Sequence, residues 1–447
     1  MSAVTVWRGL RYARLDHRFA APRLQPLANR PVPGGEAGAA PWQPPVPGLD
    51  LGAPQGDDSL NLQVWAPAGA VGLPVLWWLY GGGFEVGAAS APSMDAAALA
   101  ASVPCVVVAP NYRVGVYGFA ELAWLGGGLA EAHDLGLQDA IAAYRWTREN
   151  AAVFGGDPAR VTVAGQSSGG FLACAVAVSP AVAPPAGLAC FSGGASRIVE
   201  PEVARRLSKA LLRDLGVEDD PERILTLDPR RVVTAPARVV ARDIGVRNGP
   251  VVRSLGIVRD RAGVVPVVVP RHPMDAVDAG ALRRTAVLSS ATAEESAGFP
   301  PDAVGAGSVA EVADEARRFG GDRADDLVRE YAPAGADPAA ARGRLLTDVV
   351  YRLPAARLVA QQRRAGGRAG LLEVGRFGEA PAAHGTELPA LFAHPGDPGP
   401  DAPVHDALRR LVRDGEVPAG PRRAGASPTA ALAPGRLVEL WEGVARP

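Results

Sequence analysis

The sequence predicts an α/β fold: a mostly parallel twisted sheet with helices on both faces. Three observations carry this. Runs rich in β-branched and aromatic residues recur between turn formers, and patterns of helical spacing fall between those runs. Two of the runs, around Val75 and Val106, are apolar throughout, as strands buried on both faces are. With 447 residues, 48% of them hydrophobic, the chain can bury one large core. No internal repeat or clean linker divides it, so one domain over 1–447 is expected.

Taken in order, strands are expected at "LNLQVWAP" (60–67), "PVLWWLY" (74–80) and "VPCVVVAPNYR" (103–113). A helix follows over 134–154, where Leu137, Ile141, Tyr144 and Trp146 recur at helical intervals before "GGDP" stops it. The strand "RVTVAG" (160–165) leads into a helix from Gly169 to Pro180. An arginine-rich insert over about 197–270 reads as a helical cap above the sheet. Strands at 285–290 and 370–377 complete the pattern, with helices over 311–331 and over 347–367, the latter bent at Pro354. Proline- and glycine-rich loops fill 31–57 and 394–404.

Composition excludes several classes. A net charge of −1 offers no electrostatic footprint for nucleic acid. The N-terminus has no basic-then-apolar export pattern, and a cytoplasmic protein is expected. No charge occurs from Val161 to Ser196, yet Pro180, Pro184 and Pro185 break that stretch, so a buried strand, turn and helix are expected rather than a membrane span. Cys105, Cys174 and Cys190 lie in apolar contexts and read as buried free thiols.

The chemistry is concentrated in "VTVAGQSSGG". Ser167 satisfies G-x-S-x-G with Gly165 and Gly169, whereas Ser168 has Gln166 two places before it. A strand ending at Gly165 and a helix starting near Gly169 leave almost no chain for the turn, which pushes the Ser167 hydroxyl out at the sheet's C-terminal edge. The bland alternative is a tight strand-to-helix turn. Directly after another buried strand comes Tyr80-Gly81-Gly82-Gly83-Phe84, a loop that can aim backbone N–H groups at an oxyanion. A phosphate cradle would need a lysine that the loop lacks.

These blocks resemble the type-B carboxylesterases, the cholinesterase and p-nitrobenzyl esterase branch of the α/β-hydrolases. "DDSLNLQVWAP" is similar to that family's SEDCLYLNVW block, and "LYGGGF" to its [HY]GGGF loop. "VVVAPNYRVGVYGF" resembles VVVTINYRLGVFGF, and "FGGDPARVTVAGQSSGG" resembles FGGDPxxVTxFGESAGG. "EESAGF" and "HGTELPALF" resemble the blocks that carry its acid and base. The resemblance implies an α/β-hydrolase fold with a reduced cap, cleaving esters through an acyl-enzyme without metal or organic cofactor. It implies Ser167 as nucleophile, His384 as base, and Gly82, Gly83 and Ser168 as oxyanion donors. The family acid stands four residues before a phenylalanine, which gives Glu295 before Phe299, although Ser296 replaces the family's glycine. Adjacent Glu294 is the alternative.

Other readings were weighed against this one. His384 and Glu387 form an H-x-x-E spacing, but no further metal ligands accompany them in sequence. His17, His133, His272, His394 and His405 read as structural or solvent-exposed. Phe84, Trp124 and Gln166 are candidates to line the substrate pocket. Gln166 stands where the family has glutamate, which argues against choline-like cations and for a small neutral ester of short or medium acyl chain. Two alternatives remain at this stage: a biosynthetic acyltransferase or hydrolase acting on a small natural product, and a catalytically silent binding module of the same fold.

Overall fold

The computed structural model describes residues 3–27, 31–249, 253–376, 378–393, 402–425 and 431–444. Among these, nine strands form one sheet: β1 (Val4–Arg11), β2 (Asn61–Pro67), β3 (Leu73–Leu79), β4 (Val106–Pro110), β5 (Gly156–Gln166), β6 (Gly187–Phe191), β7 (Ala286–Thr292), β8 (Ala369–Val374) and β9 (Arg422–Ala424). Their spatial order is β1-β2-β4-β3-β5-β6-β7-β8-β9. The β1–β2 and β2–β4 pairs are antiparallel and all later pairs parallel. From β3 the chain turns to one side for β4 and to the other for β5. That reversal opens a crevice beyond the carboxyl ends of β3 and β5, where open α/β sheets bind ligands.

The central strands are buried over most of their length, with Val75, Trp77, Val106, Val163 and Leu188 all inaccessible. Helices α1 (Leu135–Asn150) and α2 (Ser168–Val178) cover this core. Three strands, β1, β6 and β9, were not foreseen. β6, "GLACF", has no β-branched residue, so only burial on both faces makes it a strand. β1 is partly exposed along most of its length and pairs at the sheet edge.

Within 197–270 lie α3 (Pro201–Asp214) and short helices over Pro229–Thr234, Pro236–Val239 and Ile244–Asn248. Ile198–Val199 pairs in parallel with Ile257–Val258, which ties the two ends of this insert together. The Val258 N–H then donates to Asp134 Oδ1 at 2.9 Å, fixing the insert to the start of α1. Farther on come α4 (Val309–Gly320), α5 (Ala324–Tyr331), α6 (Pro338–Thr347) and α7 (Leu353–Arg364). The irregularity near Pro354 is a π-helical turn, Asp348–Arg352, rather than a simple bend. Proline supplies no N–H and its ring crowds the carbonyl four residues back, and the wider turn relieves both.

The uncharged stretch from Val161 to Ser196 folds as the end of β5, α2 and β6. No helix among the described residues is long and apolar enough to cross a membrane. The three cysteines are free and buried.

Backbone crowding at the end of β5 is severe. A Cβ on Gly165 would lie 2.3 Å from the Gly169 carbonyl oxygen and 2.9 Å from that of Leu79. Gly165→Ala should therefore destabilise the fold by about 1–3 kcal/mol or more, read as a lower urea midpoint. Gly420→Ala, with open space around it, should leave the midpoint in place.

Candidate active site

β5 ends at Gln166 and α2 begins at Ser168, so Ser167 alone makes the turn, at φ 57° and ψ −128°. A side-chain-bearing residue held there stores about 1–3 kcal/mol of strain, which the surroundings must enforce. They do so through hydrogen bonds. The Ser167 N–H donates to the Phe191 carbonyl at 2.9 Å, and its own carbonyl accepts from Gly170 (2.9 Å) and Phe171 (3.1 Å). Ser167 remains 9% exposed while Ser168 is fully buried, so of the two serines only Ser167 can be reached.

The glycine loop stands beside this turn. Gly82 has φ 127°, and a Cβ on it would sit 2.0 Å from the Val86 carbonyl oxygen, so only glycine fits. A Cβ on Gly81 would lie 3.0 Å from that of Ser167, which puts loop and turn in contact. Among the described residues, the N–H groups of Gly82, Gly83 and Ser168 have no protein acceptor. The Ser168 N–H opens α2, where the helix dipole adds positive potential.

The candidate acid and base follow β7 and β8 in the chain. After β7 the chain enters a single 3₁₀ turn, Glu295–Gly298, which buries Glu295 completely. Glu295 Oε1 accepts from the Thr292 N–H at 2.7 Å, and Oε2 lies 2.6 Å from His384 Nδ1. The His384 N–H also donates to the Glu295 carbonyl at 3.2 Å. Glu294 faces away, pairing with Arg376 and accepting from the Ala382 N–H at 3.1 Å. Ser296, where a glycine was expected, is held by Thr347: its N–H donates to Thr347 Oγ1, which in turn donates to Ser296 Oγ, both at 3.1 Å. Phe299 and Tyr351 pack on the imidazole with ring centroids 5.3 and 4.8 Å away.

Burial alone lowers the His384 pKa, but the charge and hydrogen bond of Glu295 outweigh it and hold the imidazole above its ordinary value. On its other side, Nε2 lies 3.4 Å from Gln166 Nε2. No Ser167–His384 hydrogen bond is present among the described residues. Sequence reasoning gave Glu387 no part beyond a rejected metal pair, yet it is wholly buried and accepts from the Ser192 hydroxyl at 3.2 Å. Burial and the neighbouring Glu295 charge push its pKa up. Its partner lies 195 positions away, so nothing local could have announced the pair.

Of the pocket candidates, Gln166 reaches His384, and Phe84 is buried against Phe119 at 4.8 Å. Trp124 sits apart under Lys209, with Nζ 5.3 Å from its ring centre. His17 and His272 accept backbone N–H groups in local turns, and His133 and His405 are buried against the carbonyls of Pro266 and Leu391. His394 lies outside the described residues. Among the described residues, no group of three or more His, Cys, Asp or Glu is arranged to hold a metal ion.

The adjacent glutamates can be separated by mutation. Glu295→Gln should lower kcat for ester hydrolysis about 10³–10⁴-fold. Glu294→Gln should act chiefly on thermal stability, through the Arg376 pair. Steady-state kinetics and melting curves on both variants decide the assignment, and the reverse result would move the acid to Glu294.

Comparison with known proteins shows which family the chain resembles. Residues 1–395 match the Carboxylesterase family. The para-nitrobenzyl esterase of Bacillus subtilis (strain 168) is 35% identical over 243 residues, 54% of this chain and 48% of that protein. The fumonisin B1 esterase of Sphingopyxis macrogoltabida is 32% identical over 76% of this chain and 62% of its own length. The chain thus spans about half to three-fifths of these two relatives. A protein named as a probable N-octanoylanthranilate hydrolase from Rhodococcus erythropolis is 30% identical over 90% of this chain and 84% of its own. Among solved structures, a PNB esterase superposes with a TM-score of 0.79 at 26% identity, covering 92% of this chain and 87% of that one. A Geobacillus stearothermophilus carboxylesterase gives 0.79 at 26%, covering 98% and 96%. The chain belongs to the carboxylesterase family and has its α/β-hydrolase fold.

Proposed function

We propose that this protein hydrolyses small carboxylic esters through an acyl-enzyme formed on Ser167. The observation that carries the reading is the buried 2.6 Å contact between Glu295 and His384 at the sheet edge that also presents Ser167. Ser167 Oγ attacks the ester carbonyl while His384 Nε2 takes its proton. The imidazole then returns that proton to the departing alkoxide, and the C–O bond of the ester breaks. Water, deprotonated by the same nitrogen, attacks the acyl-enzyme; the acyl C–Oγ bond breaks, the imidazolium returns the proton to Ser167 Oγ, and the acid leaves. Glu295 fixes the tautomer with Nδ1–H and stabilises the transient imidazolium. The N–H groups of Gly82, Gly83 and Ser168 receive the oxyanion; losing one such donor typically costs about 10²–10³ in rate. We take the chain to act as a single domain, with 197–270 as its cap. Its buried free thiols fit a reducing compartment such as the cytoplasm.

A fluorophosphonate probe should label wild-type protein, with the modified peptide mapping to Ser167. Ser167→Ala should remove both labelling and esterase activity while its circular dichroism stays that of wild type. Label on Ser168, or activity surviving in the variant, would overturn the mechanism, and a folded protein that never reacts would favour the silent binding module.

Activity should also rise with pH. The base works only when neutral, so kcat/KM falls as pH drops through the His384 pKa, which Glu295 holds above about 6.5. The residual activity of Glu295→Gln should show this acid limb at lower pH, because the raising charge is gone. An unmoved limb would detach it from this pair.

A further inference from the structure

A charged residue that the mechanism does not use lies beside the glycine loop. Arg197 follows Ser196 at the start of the cap insert, with φ 62°, a conformation that side-chain-bearing residues rarely hold. Its guanidinium carbon stands 5.5 Å from the ring centre of Phe84 and 5.7 Å from that of Phe171. Phe84 directly follows the oxyanion glycines and Phe171 lies in the first turn of α2, so the cation sits between the two backbone segments that flank Ser167. Its Nη2 is buried and has no hydrogen-bond partner among the described residues.

The neighbours sharpen the point. Arg247, whose Nη2 would lie 3.5 Å from a Cβ on Gly83, is already paired with Glu85. Arg197 has no such carboxylate among the described residues, so the cluster Arg197, Arg247 and Glu85 carries one net positive charge. Burial and the Arg247 charge draw the Arg197 pKa down to about 10, so it remains a cation at neutral pH. Its field reaches His384, where it opposes protonation of the imidazole. A half-buried cation with one buried, unbonded nitrogen is a costly arrangement unless something anionic completes it.

We propose that Arg197 binds a carboxylate carried by the substrate beside its scissile ester, which makes anionic esters the preferred substrate class. This rests on the hydrolase reading above and deepens it. It also revises the preference for neutral esters drawn from Gln166, which weighed the lost glutamate without the arginine. The guanidinium would donate to the carboxylate and hold the ester against Ser167.

The test uses matched pairs on the whole protein. For an acyl-side anion the pair is 4-nitrophenyl hydrogen glutarate against 4-nitrophenyl valerate. For an alcohol-side anion it is 4-acetoxybenzoate against phenyl acetate. In at least one pair the wild-type kcat/KM ratio, anionic over neutral, should fall about ten- to a hundredfold in Arg197→Gln and recover in part in Arg197→Lys. The pair that responds tells which side of the ester carries the charge. Ratios unchanged in both pairs, with anionic and neutral rates falling together, would mean a structural role and overturn the proposal. Should Arg197→Gln fold poorly, wild-type inhibition decides: glutarate should inhibit valerate hydrolysis better than glutaramide, and equal inhibition overturns the proposal. Failure of the parent reading has its own signature, an inert wild type that hydrolyses neither valerate nor phenyl acetate, and the proposal falls with it.

Discussion

The backbone of Gly169 passes so close to β3 that a Cβ there would meet the Leu79 and Tyr80 carbonyl oxygens at 2.2 and 2.4 Å. Helix α2 can begin directly at the end of β5 only because nothing projects into that gap. From this approach follow the left-handed backbone of Ser167, the exposure of its hydroxyl and the contact between the turn and Gly81. The β5–β6 pairing continues it, since the Ser167 N–H is anchored on the last residue of β6. Ser167 is therefore positioned chiefly by main chain, that of β5, β6 and α2.

The side chains of the site share one electrostatic problem, which is to keep ionisable groups together out of water. Glu295 meets it with two donors, the Thr292 N–H and the imidazole. Glu387 is held toward its neutral form by burial and the charge of Glu295, while the Ser192 hydroxyl donates to it. Two adjacent carboxylates thus need not both be charged. Arg197 carries the reverse sign, and its charge also acts on His384, against the pull of Glu295.

Much of this was legible in the sequence, for reasons that differ by residue. The strands around Val75 and Val106 announced themselves because burial on both faces demands an unbroken apolar run. Ser167 and the glycine loop were legible because their backbone geometry excludes other residues. The choice between Glu294 and Glu295 was harder, since Ser296 removed the expected glycine. It took a single 3₁₀ turn, with Thr347 gripping Ser296, to send one carboxylate inward and the other to Arg376. β6 stayed hidden because "GLACF" has little strand preference and owes its state to neighbours distant in sequence. Arg197 stayed hidden for a related reason: its meaning lies in Phe84 and Phe171, and in the lack of a carboxylate partner among the described residues.

The strand order bears on how the chain is made. Ser167 and the glycine loop lie in the first part of the sequence, whereas Glu295 and His384 follow β7 and β8, which join the sheet beyond β6. At ordinary rates of synthesis His384 leaves the ribosome about ten to forty seconds after Ser167. On the mechanism proposed above, the serine until then is an alcohol without a base. Its reactivity would switch on only once β7 and β8 have docked, so turnover would also report that these two strands are in place.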